Sequence, residues 1–219
     1  MIKKMITKNK WKLMITSAVI LLPILVGLIL WNRLPEQFAT HWGADGEADG
    51  FSSKAVAVFL PSALMLAVHW LCVLVTCADP GNKRQNEKVF GMVLWILPVL
   101  SLIMNGLVYV NALGIDISVP MVTLVCTGAV FVIVGNYLPK CRQNHTIGIK
   151  VPWALKNEEN WNKTHRVAGK VWVAGGLLMI AAAFLPEKLF LIVLLAALVL
   201  LAGVPVLCSY LYHKKQVRN

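Results

Sequence analysis

The chain predicts an all-α, polytopic membrane protein with six transmembrane helices and both termini in the cytoplasm. Three observations carry this. Of 219 residues, 58% are apolar and only 14% charged, a composition that belongs to membrane chains. Six apolar runs of about twenty residues each match the hydrocarbon thickness of a bilayer, and a soluble core of this size has no room for them. The Lys and Arg residues, finally, are sorted between alternate loops.

Met1 to Lys12 is a basic leader with five Lys and no acid. Leu13–Trp31 is the first apolar run. A basic head before an apolar stretch also describes a signal peptide, but the run is long and Leu30-Trp31-Asn32-Arg33 offers no small-x-small cleavage site, so an uncleaved helix is expected. Residues 32–54 form a polar outer loop with Gly43, Gly46, Gly50 and the acids Glu36, Asp45, Glu47 and Asp49. Ala55–Cys77 is the second span, followed by a short loop carrying Lys83, Arg84 and Lys88. Val89–Asn111 is the third, and Leu113–Val119 a brief turn with Asp116. Pro120–Pro139 is the fourth, its first Pro placed where a missing N–H costs least. After a long polar loop the fifth runs from Val167 or Val171 to Leu185. Pro186-Glu187-Lys188 turns tightly into the sixth, Leu189–Tyr210, and the tail carries Lys214, Lys215 and Arg218. Three modules are expected: 1–78 with two helices and the outer loop, 79–134 with helices three and four, and 135–219 with the long loop and the last two helices.

The leader, the loop after the second span, the long loop and the tail hold eighteen of the 21 Lys and Arg, with four acids. The opposite loops hold Arg33, Lys54 and Lys188, with six acids. Such asymmetry places the first set in the cytoplasm. The net charge of +11 is therefore an orientation signal that anionic lipid reinforces, and no direct nucleic-acid partner is expected. No Asp, Glu, Lys or Arg interrupts the centre of a span, which argues against a proton relay of buried carboxylates. His69, Asn105 and Asn136 are the polar exceptions, with His69 expected to hydrogen-bond between helices. Pro23, Pro61, Pro98 and Pro205 lie within spans, where Pro is ordinary. Cys72, Cys77, Cys126, Cys141 and Cys208 form no CxxC pair, the pattern of reduced thiols acting as small apolar residues.

The long loop is the most informative stretch. It joins Asn136-Tyr-Leu-Pro-Lys to Asn144-x-x-Ile-Gly-Ile-Lys-x-Pro-Trp-x-Leu and then Trp161-x-Lys-x-His-Arg-x-x-Gly-Lys. This resembles the signature of the SdpI family, bacterial membrane proteins whose best-known member protects its producer against a secreted peptide toxin. Lys150 stands where the family usually has Arg, and Val151 and Ala154 stand where Thr is common. A lone ammonium grips an anion less specifically than a guanidinium fork. The outer loop, Leu34-Pro35…His41-Trp42…Gly46…Asp49-Gly50…Lys54, resembles a second module common in that family and known only as a domain of unknown function.

Asp45-Gly-Glu-Ala-Asp49-Gly50 opens like a calcium loop, but the twelfth position from Asp45 is Val56 where an acid is needed. Pro35, Phe38, Trp42 and Phe51 instead suggest a loop that packs on the membrane surface and turns its carboxylates outward. Cys141-x-x-x-His145 with His165 and Glu158 or Glu159 has zinc-type donors, though the spacing matches no standard motif. Asn157 is placed to cap a helix whose first turn holds Glu158 and Glu159. Trp161, His165, Ala168 and Trp172 then share one face, read as an interfacial helix anchored at the headgroups.

No nucleophile elbow, phosphate-binding Gly loop, HExxH or paired carboxylates appear, so no enzyme, cofactor or metal is expected. The resemblance implies immunity to, or sensing of, a secreted antimicrobial peptide. Its partners would be the peptide outside, membrane lipid, and a regulator in the cytoplasm. A small transporter is a second class, with His69, Asn105 and Asn136 as its only polar path; a membrane enzyme using His145 and His165 is a third. The candidate ligand or effector residues are Pro35, His41, Trp42 and Asp49 outside. Inside they are Asn136, Asn144, His145, Gly148, Lys150, Pro152, Trp153, Trp161, His165 and Arg166.

Overall fold

An apolar run in hydrocarbon must satisfy every backbone N–H and C=O within itself, so it becomes a helix. The computed structural model, which describes residues 2–43 and 45–218, has α1 (Ile2–Lys8) in the basic leader, α6 (Pro152–Lys156) in the long loop, and the helices of the apolar runs, α2 (Lys10–Ile29), α3 (Lys54–Ala78), α4 (Glu87–Ala112), α5 (Val119–Tyr137), α7 (Glu158–Ala182) and α8 (Glu187–Arg218). Among the described residues five helical stretches are long and apolar enough to cross a membrane: Lys10–Ile29, Lys54–Ala78, Glu87–Ala112, Val119–Lys140 and Leu189–Arg218. They expose Leu22, Leu64, Leu71, Ile192 and Val199, a surface that lipid accepts and water does not. The fifth expected run is the C-terminal part of α7, a 25-residue helix whose opening turns are polar.

The chain forms two compact units. The first comprises Met1–Cys77 and Gly91–Thr123. Its helices are stitched by polar side chains of the kind that hold membrane helices together. The Thr16 hydroxyl meets His69 Nε2 at 3.1 Å, Ser101 donates to the Ile20 carbonyl at 3.1 Å, and Tyr109 donates to the Pro23 carbonyl at 3.0 Å. The loop after α2 is a β-hairpin of β1 (Gln37–Trp42) and antiparallel β2 (Ala48–Ser53). Phe38 bolts it to the helices. That ring is buried with Leu34, Ala57, Val58 and Tyr109, meeting Tyr109 edge-on at 6.3 Å. At the hairpin's base, buried Lys54 pairs with Glu36 at 2.8 Å.

The second unit comprises Ala78–Phe90 and Leu124–Asn219. Here α5 and α7 touch backbone to backbone through glycines. A Cβ on Gly128 would lie 2.5 Å from the Gly176 carbonyl, and one on Gly169 2.8 Å from that of Gly135. Only glycine permits this approach. Helices α5, α7 and α8 share a core of Leu124, Met179, Ala182, Ala197 and Leu201, and the Trp172 indole donates to the Leu201 carbonyl at 2.9 Å.

Candidate functional site

Within the second unit, residues 141–151 form an irregular segment between the short turn Leu138–Lys140 and α6. Its backbone groups have no ladder to join, so side chains satisfy them. Asn144, buried, does most of this. Its Oδ1 accepts from the backbone N–H of Thr146 at 2.8 Å and of Ile147 at 2.6 Å, while its Nδ2 donates to the carbonyls of Arg142 at 2.7 Å and Ile147 at 2.8 Å. The buried carboxylate of Asp79 caps the turn Pro80–Arg84 through the Gly81 N–H at 2.9 Å. Its other oxygen takes the His145 N–H at 2.7 Å and the Thr146 hydroxyl at 3.2 Å. Gln85 accepts from the Arg142 N–H at 3.0 Å, and Gln143 donates to the Ala154 carbonyl at 2.8 Å.

Helix α7 closes the other side. Asn157 caps it by accepting from the Asn160 N–H at 2.8 Å, with Glu158 and Glu159 in the first turn, as the sequence predicts. Trp161 and His165 are fully buried and stacked, centroids 4.0 Å apart. The indole N–H donates to the Cys141 carbonyl at 2.8 Å. His165 Nδ1 donates to the Trp161 carbonyl at 2.8 Å, and its Nε2 accepts the Ile149 N–H at 3.0 Å. Burial pushes this imidazole down to about 4, so it is neutral at pH 7 with both nitrogens used. Gly148 passes over the stack with φ of +111°, and a Cβ there would strike the His165 ring at 2.4 Å. Burial pushes the Cys141 thiol up to about 11, against the Asn144 and Gln85 amides that bond it. The cysteines are all free.

The structure thus brings Asn144, Gly148, Trp161, His165 and the His145 backbone into one knot. Asn136, Lys150, Pro152, Arg166 and the His145 side chain are exposed instead. Trp153 is half-buried, packed on Tyr210 at 5.2 Å and stacked on His213 at 6.2 Å. One expectation is corrected: Trp161 is no headgroup anchor, because its ring fills the core with Val89, Cys141 and Ala154. The zinc-type donors do not assemble either. His165 is committed to Ile149, and among the described residues no three His, Cys, Asp or Glu converge as metal ligands.

Sequence reasoning missed Asp79, Gln85 and Gln143. The available signal was Asp79-Pro80-Gly81, an acid followed by turn residues directly after an apolar run. It missed as well the buried network in which Asn160 donates to the Ser209 carbonyl at 2.9 Å and accepts from Thr164 and Ser209. On the hairpin of the first unit, His41 Nδ1 and Asp49 Oδ1 are paired and exposed, Trp42 is half-buried and Pro35 exposed. The loop read as lying on the membrane surface has its Phe38 in the protein core. Asp45 accepts from the Glu47 N–H at 3.1 Å, bracing its own turn.

Residues 140–209, which hold the knot, α6, α7 and most of α8, match the SdpI/YfhL protein family. The chain carries an SdpI-family domain. Residues 18–66, spanning the hairpin, match Domain of unknown function (DUF1648). Over 204 residues the chain is 25% identical to Immunity protein SdpI of Bacillus subtilis (strain 168), covering 93% of this chain and 97% of that protein. No solved structure matches. Together with its apolar helices, this makes the chain a multi-pass cell-membrane protein. Asp79 and Gln85, which hold the SdpI-family domain's loop in place, fall outside both matched segments.

Proposed function

We propose that this chain is a membrane immunity protein that protects its cell against a secreted antimicrobial peptide. It engages the peptide outside, at the hairpin, and presents the 141–151 knot to a regulator inside. The similarity to an immunity protein along 93% of the chain carries the reading. The split of basic residues supports the orientation. A non-catalytic role is supported by the chemistry of the knot, where the imidazole has no free nitrogen and the thiol stays protonated at neutral pH.

The deciding experiment compares survival of cells with and without the gene across a panel of secreted antimicrobial peptides. Protection against at least one peptide is expected; identical survival across the panel overturns the reading. Orientation is checked separately by cysteine labelling in a cysteine-free background. Glu47→Cys should react from outside intact cells, and Glu158→Cys only after permeabilisation. The relay to a regulator predicts a soluble protein whose co-purification with the full chain changes on exposure to the peptide.

A further inference from the structure

Residues 36–53 contain four carboxylates, Glu36, Asp45, Glu47 and Asp49, and no Lys or Arg. Lys54 neutralises Glu36, so the negative charge gathers at the turn end of the hairpin. Asp45, Glu47 and Asp49 are all exposed there. Strand register decides what accompanies them. Phe38 pairs with Ser52 and Ala39 with Phe51, so Phe51 lies on the face opposite Phe38. One phenyl ring is 1% exposed and anchors the hairpin; the other is 63% exposed. An isolated two-stranded hairpin is marginal in water, but this one is clamped by Phe38, by the Lys54–Glu36 pair and by the Lys54 N–H on the Glu36 carbonyl. The exposed ring and the carboxylates are therefore held in place rather than carried on a loose loop.

We infer that the exposed face of the hairpin, Phe51 with Asp45, Glu47 and Asp49, is the docking surface for a cationic amphipathic peptide. A peptide apolar side chain covers the Phe51 ring, and Lys or Arg residues meet the carboxylates. A phenyl face also attracts a cation directly. Charge complementarity selects this occupant over the bilayer, since Asp45, Glu47 and Asp49, the last paired with His41, give this end of the hairpin a negative charge that disfavours anionic headgroups. The inference rests on the immunity reading for the source of the peptide, but it stands or falls on its own measurement.

That measurement titrates the full chain, in nanodiscs of zwitterionic phosphatidylcholine, with two synthetic peptides of equal length, one alternating Lys and Leu and the other Glu and Leu. The Lys peptide should bind at least tenfold tighter than the Glu peptide. Phe51→Ala should weaken it about fivefold or more, and the triple variant Asp45→Lys, Glu47→Lys, Asp49→Lys should reverse the preference. Phe51 is exposed, so Phe51→Ala should melt like wild type, and Phe51→Tyr, which keeps the ring, should bind as wild type. The triple variant also removes Asp45 from the Glu47 N–H and Asp49 from His41, so its melt is measured beside its binding. Equal binding of both peptides, binding indifferent to these substitutions, or equal uptake by empty nanodiscs overturns the inference. So does quenching of a Phe51→Trp variant by brominated lipid, which would place the ring in the bilayer. In the survival assay, full protection by Phe51→Ala at normal abundance removes the docking surface and leaves immunity standing. A wild-type chain that binds the Lys peptide yet protects against nothing removes immunity and leaves the docking surface.

Discussion

The hairpin and the 141–151 knot are both polar connections between apolar helices, and they are built in opposite ways. The hairpin satisfies its backbone with its own ladder and sends Asp49 and Phe51 into solvent. The knot has no ladder. Asp79, Gln85, Asn144, Trp161 and His165 complete its backbone, and four of these, Asp79, Asn144, Trp161 and His165, are buried; Gln143 ties the segment to the α6 carbonyls. The difference teaches where a substitution will register. In the hairpin an exposed side chain can be exchanged with the fold intact, so loss of function reports on binding. In the knot the buried side chains hold the shape, so a substitution there lowers stability, and a change in function alone cannot be read as a change in binding.

The largest expected effect comes from emptying the knot's centre. Asn144→Ala leaves the N–H groups of Thr146 and Ile147 unpaired, while the Arg142 carbonyl keeps Gln85 and the Ile147 carbonyl keeps the Cys141 thiol. At about 1–3 kcal/mol for each buried group left unpaired, non-additively, the total is roughly 3 kcal/mol or more. Proteolysis within 141–151 should speed up markedly and the melting temperature of the purified protein should fall. His41→Ala, which removes an exposed pair in the hairpin, should change neither. A knot mutant that melts like wild type would erase the contrast between the two regions.

The next effect is set by pH. His165 titrates at 6.5 when unfolded and at about 4 when folded, so as pH falls the unfolded chain takes the proton first. Its contribution is complete above about pH 6.5, declines as pH drops towards 4, and is flat below. The gap corresponds to roughly 3 kcal/mol. A protonated ring cannot accept the Ile149 N–H, so the protection of that amide relative to its intrinsic exchange rate at each pH should fall over this window. The His165→Gln variant should lack the wild type's extra slope; an unchanged slope would show that His165 is not the group responsible.

Five of the expected spans and the cap at Asn157 were legible because each is local. An uncharged apolar run has one stable form in lipid, and Asn followed by two Glu offers one side-chain acceptor and two favourable charges to a helix start. The hairpin was obscured by its own irregularity. Register shifts between Ala39 and His41 and between His41 and Trp42 break the period of two that marks a strand, and Asp45-Gly46 read as a calcium loop or a bare turn. The knot was illegible for a different reason. Asp79 and His145 are 66 positions apart, Gln85 and Arg142 57 apart, and polar residues flanking a span look solvated until the fold buries them. The Trp161–His165 face was visible from spacing, but spacing alone does not tell a face turned to headgroups from one turned to protein.

That ambiguity sets the smallest and sharpest test, on the two tryptophans of the SdpI-family domain. Trp161 reads as an interfacial anchor and Trp153 as a candidate effector residue beside Pro152, and the structure separates them in another way. Trp161 is fully buried and its N–H holds the Cys141 carbonyl; Phe keeps the apolar contact but strands that carbonyl, at about 1–3 kcal/mol. Trp153 is half-buried on Tyr210 and His213, and Phe retains most of that ring packing, so the cost should be about 0.5 kcal/mol or less. Trp161→Phe should therefore lower the melting temperature and loosen the knot to proteases, while Trp153→Phe should melt like wild type. Equal effects would mean that the Trp161 hydrogen bond adds nothing to the knot. Trp153→Phe adds a second readout: protection lost at wild-type stability would place Trp153 on the surface a cytoplasmic regulator reads, and protection kept would leave that ring as a brace between α6 and the end of α8.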